Sequence, residues 1–217
     1  MKKSLLTIIL IFAVMVSVFA QETSYQNVMK TEIAKLDHAD SLNRFQQSAN
    51  AFSRISQLNP KEWQPYYYGA LAYIYQGLDG ASSLEKRDEA LAKAEELIKK
   101  AEVISPDNAE IIALEGFKVM AEVSADPASR GQTLSGKVMH NFSKALKIDP
   151  KNPRAAVLMA QMEFGMARFF NSGTEKACDL VKLSQRSFEA QNEETLKAAL
   201  LPTWGKNLAD KLSKVCQ

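Results

Sequence analysis

The chain has 217 residues, 46% hydrophobic and 24% charged, which is the composition of a globular protein with a sizeable core. Nine Gly and seven Pro are few for this length and argue against a turn-rich all-β fold. The formal net charge is +2, from 27 basic and 25 acidic residues, and no basic cluster of the kind that binds nucleic acid is visible.

The first twenty residues have the pattern of a secretory signal peptide. Lys2 and Lys3 precede an apolar run over residues 5–19, and small residues stand at Val18 and Ala20. An uncleaved anchor is the alternative, but the run of about 15 residues is shorter than the ~20 that span a bilayer. We predict cleavage after Ala20, export to the periplasm or the medium, and no stable membrane insertion afterwards. The remaining chain then has 25 basic and 25 acidic residues.

Beyond the signal peptide, apolar residues recur at spacings of three and four, and no window alternates long enough for a strand. Residues 21–40 are weakly patterned, and loops are expected at 78–84 and 124–131. The predicted helices cover 41–58, 62–76, 85–103, 109–123, 132–148, 154–170, 175–190 and 193–215. We therefore predict an all-α fold of about seven to eight helices in antiparallel pairs, with residues 21–217 as a single domain.

One short phrase occurs three times between predicted helices. Asn59-Pro60, Ser105-Pro106 and Asp149-Pro150 place prolines 46 and 44 residues apart. A residue before proline is pushed out of the α region, so each phrase ends a helix. Internal periodicity of this length with paired helices predicts a solenoid.

The residues around these prolines resemble a known repeat. Phe142, Ala145 and Pro150 stand at the offsets that end a tetratricopeptide repeat. Residues 66–77 resemble its first helix, with small Ala70 where two helices approach closely. This resemblance implies a right-handed superhelix whose first helices line a concave side, and it implies binding of other proteins.

The resemblance covers roughly residues 41–190, with capping helices over 193–216, or about three and a half helix pairs. The family's standard repeat has 34 residues, and the excess here falls at 78–89 and 124–134. These insertions are either longer helices or ordered loops.

The resemblance also implies a set of residues that face the concave groove. The tyrosines of 66–77 have two interpretations, packing in the core or contact with a ligand, and core packing explains most of them. The remaining tyrosine surface suits a ligand because tyrosine offers a large area with few rotamers. The candidate groove residues are Gln64, Tyr67, Leu71, Ile74, Tyr75, Glu110, Phe117, Met120, Arg154, Gln161 and Phe164.

Two cysteines, Cys178 and Cys216, lie in the last helical stretches. In a straight hairpin they would be about 11 residues out of register, or roughly 16 Å apart at 1.5 Å per residue. A disulfide therefore needs the chain to bend at Leu201-Pro202. Export permits the bond, and the sequence leaves the bridged and free states both open.

No group of residues indicates catalysis. The two histidines, His38 and His140, are far apart, and a zinc site needs three or four ligands together. Residues 131–137 have the Gly and Lys spacing of a phosphate loop, but Val138 stands where Ser or Thr would hold magnesium. We expect no catalytic residue, no metal ligand and no cofactor, and hence no enzyme.

The predicted function is a non-catalytic protein-interaction module or scaffold of the cell envelope. It would bind a peptide or a partner protein, of identity unknown, on the concave helix face, and no nucleic acid. One alternative is a structural envelope protein that acts through its inserted loops. A weaker alternative is an accessory to a hydrolase or glycan-handling system.

Overall fold

The computed structural model describes residues 24–216, so the predicted signal peptide lies outside the described residues. Within this part of the chain there are ten helices and no strand, which confirms the all-α prediction. The helices are α1 (24–37), α2 (Leu42–Leu58), α3 (Gln64–Gly77), α4 (Leu84–Ile104), α5 (Ala109–Ala125), α6 (Pro127–Ile148), α7 (Pro153–Phe170), α8 (Glu175–Glu189), α9 (Glu193–Ala198) and α10 (Lys206–Ser213). None of the helices between residues 24 and 216 combines the length and the apolar character that crossing a membrane requires.

Neighbouring helices pack as pairs, and the pairs stack. α3 packs on α4, α5 on α6 and α7 on α8. In addition α3 contacts α5, and α5 contacts α7. The first helices of the pairs thus form an inner layer, and the second helices form an outer layer. This arrangement is the predicted helical solenoid.

The repeated proline phrase marks where one pair gives way to the next. After Pro106 the side chain of Asn108 accepts a hydrogen bond from the Glu110 amide and caps α5. After Pro150 the side chain of Asn152 accepts one from the Ala155 amide and caps α7. The second and third phrases therefore also begin the following helix, because the cap satisfies an amide left free in its first turn. After the first phrase, Trp63 stands at the start of α3 and makes no such cap.

The extra length of the repeats is mostly helix. α4 has 21 residues and α6 has 22, and only residues 78–83 form a loop. The predicted loop at 124–131 is wrong, since α6 begins at Pro127. Asp126 accepts a hydrogen bond from the Ser129 amide, and proline at the first helical position is pre-set for the helix.

At the two ends of the described residues, a helix lies in the weakly patterned segment 21–40, and the predicted C-terminal helical stretch is broken near Leu201-Pro202. Residues 24–37 form α1, which buries Met29, Ile33 and Leu36. The last predicted stretch divides into α9 and α10, joined by residues 199–205, here called the α9–α10 loop. α10 packs on α8 and α7, so the chain turns back across the last pair.

The close contact of α5 with α6 depends on a glycine. A Cβ atom added at Gly116 would lie 2.6 Å from Cε1 of Phe142, and Phe142 is fully buried. The ring of Phe142 therefore occupies the place of the missing side chain. This is the close approach that the small residue of the repeat was expected to allow.

Candidate functional site

The α9–α10 loop lies on the inner layer of the solenoid. The ring of Trp204 stacks on Phe117 of α5, with centroids 5.6 Å apart, and its Nε1 donates to the Tyr67 hydroxyl at 3.0 Å. The Tyr68 hydroxyl donates to the carbonyl of Leu200 at 3.3 Å. The loop therefore covers the inner faces of α3 and α5 with its own side chains and backbone.

A buried ion pair holds the loop from α7. Arg154 is 1% exposed and donates to Glu110 from Nε (2.7 Å) and from Nη2 (2.8 Å). Asn152 also donates to Glu110, at 2.7 Å, and Nη1 of Arg154 donates to the Trp204 carbonyl at 3.3 Å. Although burial opposes it, the Glu110 carboxylate holds the pKa of Arg154 above its ordinary value. A fixed charge pair thus connects α5, α7 and the loop.

Beside this loop lies a cavity of about 1080 Å³. Its walls are the second half of α1, Phe45 of α2, Tyr75 of α3, Phe117 of α5 and Leu158 of α7. The other side is formed by α9, the α9–α10 loop and α10. The two ends of the described chain therefore face each other across one cavity.

Four aromatic rings follow one another along the wall of this cavity. The centroids of Phe45 and Tyr75 are 5.3 Å apart, those of Tyr75 and Phe117 are 6.2 Å apart, and Phe117 stacks on Trp204. All four residues line the cavity. Such a row gives a long apolar surface with fixed rotamers, against which a flat hydrophobic ligand can pack. We call these four residues the aromatic row.

Charged residues stand at the edge of the cavity. Four lysines and two acids line it, and the acids are Asp37 and Glu193. Glu193 is paired with Lys197 at 2.6 Å. Burial raises the pKa of Asp37, while His38 and Lys197 oppose that rise. Burial also raises the pKa of Tyr75, and Asp37 adds to the effect. The cavity thus combines an apolar wall with a surplus of positive charge.

Two residues of the cavity, His38 in the turn after α1 and Tyr75 on α3, have side chains that can ligate a metal ion. Among residues 24–216 no three His, Cys, Asp or Glu side chains are grouped so that they could hold a metal ion.

The predicted groove residues differ in their exposure to solvent. Tyr67, Leu71, Ile74 and Arg154 are at most 1% exposed, and Phe117 and Met120 are also buried. Gln64, Tyr75, Glu110 and Phe164 are half-buried, and Gln161 is exposed. Of the predicted set, Tyr75 and Phe117 line the cavity.

Three of the predicted groove residues, Tyr67, Phe117 and Arg154, contact Trp204 of the α9–α10 loop. Trp204, Phe45 and Leu158 were not predicted as site residues. Trp204 lies beyond the repeats, whereas Phe45 and Leu158 lie within them but not at positions that the family resemblance assigns to the groove. The one available signal was Trp204 itself, a large aromatic residue directly after the helix break at Pro202.

The far end of α10 is tied to α8. Cys178 and Cys216 form a disulfide, with their Cα atoms 5.6 Å apart. The turn at residues 199–205 brings the two cysteines together, which a straight hairpin would not do. The bond anchors the segment that covers the inner layer and closes the cavity.

Comparison with known proteins shows a likeness to a solved structure. No protein-family model and no curated protein sequence matches the chain. Among solved structures, the HusA haemophore from Porphyromonas gingivalis is similar over 91% of this chain and 94% of that chain. The TM-score is 0.79 and the sequence identity is 29%. The chain therefore shares a helical repeat-like fold with a haemophore along nearly its whole length.

Proposed function

We propose that the protein binds haem or a related porphyrin in the cavity beside the α9–α10 loop. The observation that carries this proposal is the aromatic row, which lines a cavity of about 1080 Å³ in a chain similar to the HusA haemophore. A haemophore captures haem, so the likeness suggests the ligand and the cavity supplies a place for it.

The cavity suits a flat, largely apolar ring. Ligand pockets are commonly about 300–1,000 Å³ in volume and mostly apolar, with few polar groups. Packing against the aromatic row would replace water on one face of the ring, and Leu158 is positioned in the same wall. His38 and Tyr75 are side chains that could ligate the iron of haem. The porphyrin would be cargo in this proposal and not a resident cofactor.

A titration with a matched pair of variants tests the proposal. Ala34 is exposed on α1 and lines the cavity, whereas Ala92 is exposed on α4 and does not. We expect the purified protein to bind haem saturably, as measured by the change in the Soret absorption band. Ala34→Trp should fill the mouth of the cavity and weaken binding at least about ten-fold, a loss of about 1.4 kcal/mol.

Ala92→Trp adds the same side chain on the outer layer and should bind haem as the unmodified protein does. Absence of saturable binding would refute the proposal. Equal affinity of Ala34→Trp and Ala92→Trp would place any binding outside this cavity.

We also propose that the protein is a non-catalytic, exported carrier. The support for export is the disulfide between Cys178 and Cys216, since such bonds persist in oxidising compartments. The support for a binding role is the likeness to a haemophore. An assay for hydrolase activity on the purified protein should give none above the level of a denatured control.

We propose further that the helix pairs are repeats of the tetratricopeptide type. This proposal is supported by the stacked pairs, the proline phrase and the close approach at Gly116. A partner protein, if one is bound, would have to use surfaces other than the covered inner layer. Affinity capture with the Trp204→Ala variant, which uncovers Phe117, would show whether inner-layer exposure changes the partners retained.

A further inference from the structure

The lysines at the edge of the cavity form a second part of the binding site. Of the four lysines that line the cavity, only Lys197 is in an ion pair within the described part of the chain. Lys30, Lys206 and Lys211 are exposed and stand around the same opening. Among residues 24–216, the charges of these three lysines have no ion-pair partner.

The charges around the opening do not balance. Four lysines face the two carboxylates of Asp37 and Glu193, which leaves a surplus of two positive charges. Glu193 is taken by Lys197 and is also attracted by Lys206, and burial raises the pKa of Asp37. Of the three lysines without an ion pair among the described residues, two, Lys206 and Lys211, lie on α10, and the third, Lys30, lies on α1.

The surplus lies next to an apolar wall. Lys206 directly follows the α9–α10 loop that carries Trp204, and Lys211 lies on the same helix, α10. A ligand that packs on the aromatic row thus has positive charge within reach at one edge. This division into an apolar wall and a cationic edge is the complement of an amphipathic anion.

We propose that Lys206 and Lys211 recognise the carboxylates of the ligand, so that the cavity selects a planar apolar dicarboxylate over its neutral analogue. This inference rests on the proposed porphyrin binding and adds the chemical basis of selectivity. A natural porphyrin of the haem type has two propionate groups on one edge, which match the two surplus charges. Each contact is with an exposed lysine, so its contribution is modest and sensitive to salt.

The test compares two iron-free ligands that differ only in charge. Protoporphyrin has two free carboxylates, and its dimethyl ester has none. We expect the protein to bind the diacid about ten-fold more tightly than the ester at low ionic strength, as two exposed ion pairs would provide. The preference should shrink as salt is added, because the charges are screened. Affinities are read from porphyrin fluorescence.

The matched variants isolate the two lysines. Lys206→Gln combined with Lys211→Gln should lose the preference for the diacid and bind the ester as before. Retained ester binding also shows that the variant is folded. Lys100→Gln combined with Lys144→Gln changes the net charge equally at exposed positions outside the cavity and should keep the preference.

The possible failures can be told apart. If the unmodified protein binds diacid and ester equally, or if the Lys206 and Lys211 variant keeps the preference, the carboxylate inference is wrong and porphyrin binding stands. If neither porphyrin binds the unmodified protein, the carboxylate inference is overturned. The haem titration then decides the proposed function on its own: saturable haem binding keeps it, and its absence overturns it.

Discussion

At the scale of single residues, the pair of Arg154 and Glu110 decides how the inner layer is held. Arg154 has two charge-assisted hydrogen bonds to Glu110 and a third to the Trp204 carbonyl, and it is almost fully buried. A buried charge without its partner is costly, whereas an apolar replacement of the whole pair is often tolerated. The pair therefore matters as a unit.

Glu110→Ala should destabilise the protein by about 3 kcal/mol, because Arg154 would stay buried without a counter-charge. Adding Arg154→Met removes the uncompensated charge and should recover part of the loss. Urea unfolding followed by circular dichroism measures Glu110→Ala, Arg154→Met and the double variant. A double variant whose loss equals the sum of the single losses would show that the two residues are not coupled.

Lys118 is a second buried charge, 2% exposed, and it binds Glu95 at 3.0 Å and Glu122 at 3.1 Å. Hydrogen bonds from Lys99 and Lys118 lower the pKa of Glu95 to about 2 from its ordinary 4.5. A carboxylate with a lowered pKa stabilises the fold above its ordinary pKa. This contribution is lost as the pH falls from 4.5 to about 2.

Glu95→Gln should therefore cost stability at pH 7 and little near pH 2. The loss at pH 7 is expected to be about 1 kcal/mol, because the Glu95 side chain is 39% exposed and solvent screens the pair. Thermal unfolding across this pH range gives the difference. Glu96→Gln, the exposed neighbour on α4, should follow the pH profile of the unmodified protein.

At the scale of helices, two glycines show what the close approach of α5 and α6 requires. Gly116 faces the ring of Phe142, while Gly136 on α6 has open space where a Cβ would stand. Gly116→Ala should destabilise by about 1–3 kcal/mol, because the buried ring must move. Gly136→Ala should stabilise by about 0.5–1 kcal/mol through helix propensity. Urea unfolding of both variants measures the contrast, and the same sign for both would contradict the packing described.

The disulfide is the device that fixes α10. Replacing Cys178 and Cys216 by Ser should lower the free energy of unfolding by about 2–4 kcal/mol. Limited proteolysis should then cut first in the α9–α10 loop, because α10 would be held by packing alone. Peptide mapping of the unreduced protein provides the check on the bond itself. Recovery of both cysteines as free thiols would contradict it.

At the scale of the whole molecule, the sequence predicts the helical repeat but does not predict which residues meet at the cavity. The proline phrase and the 3.6-residue periodicity predict the pairs and their order because both are local properties of the chain. The start of α6 was missed, although Asp126 and Pro127 together form a helix-start signal. The aromatic row joins α2, α3, α5 and the α9–α10 loop, and no local pattern predicts such a meeting.

The sequence also does not predict that the α9–α10 loop covers the inner layer. Tyr68 bonds to Leu200 over 132 positions, and Tyr67 bonds to Trp204 over 137 positions. The family resemblance implied that Tyr67 faces the concave side but gave no sign of what would lie on it. Contacts of this range come from tertiary packing, and the family resemblance, which describes positions within the repeats, does not include them.

The same contacts change how the molecule can assemble. In an ordinary helical repeat array each unit contacts only its neighbours, so folding can begin anywhere and spread. Here the α9–α10 loop, which covers the inner faces of α3 and α5, comes after both of these helices in the chain. Because domains fold from the N-terminus during synthesis, the aromatic face of α3 and α5 stays exposed to solvent until Trp204 has been synthesised. Closing so long a loop is slow, so the completion of this face is expected to limit the folding rate.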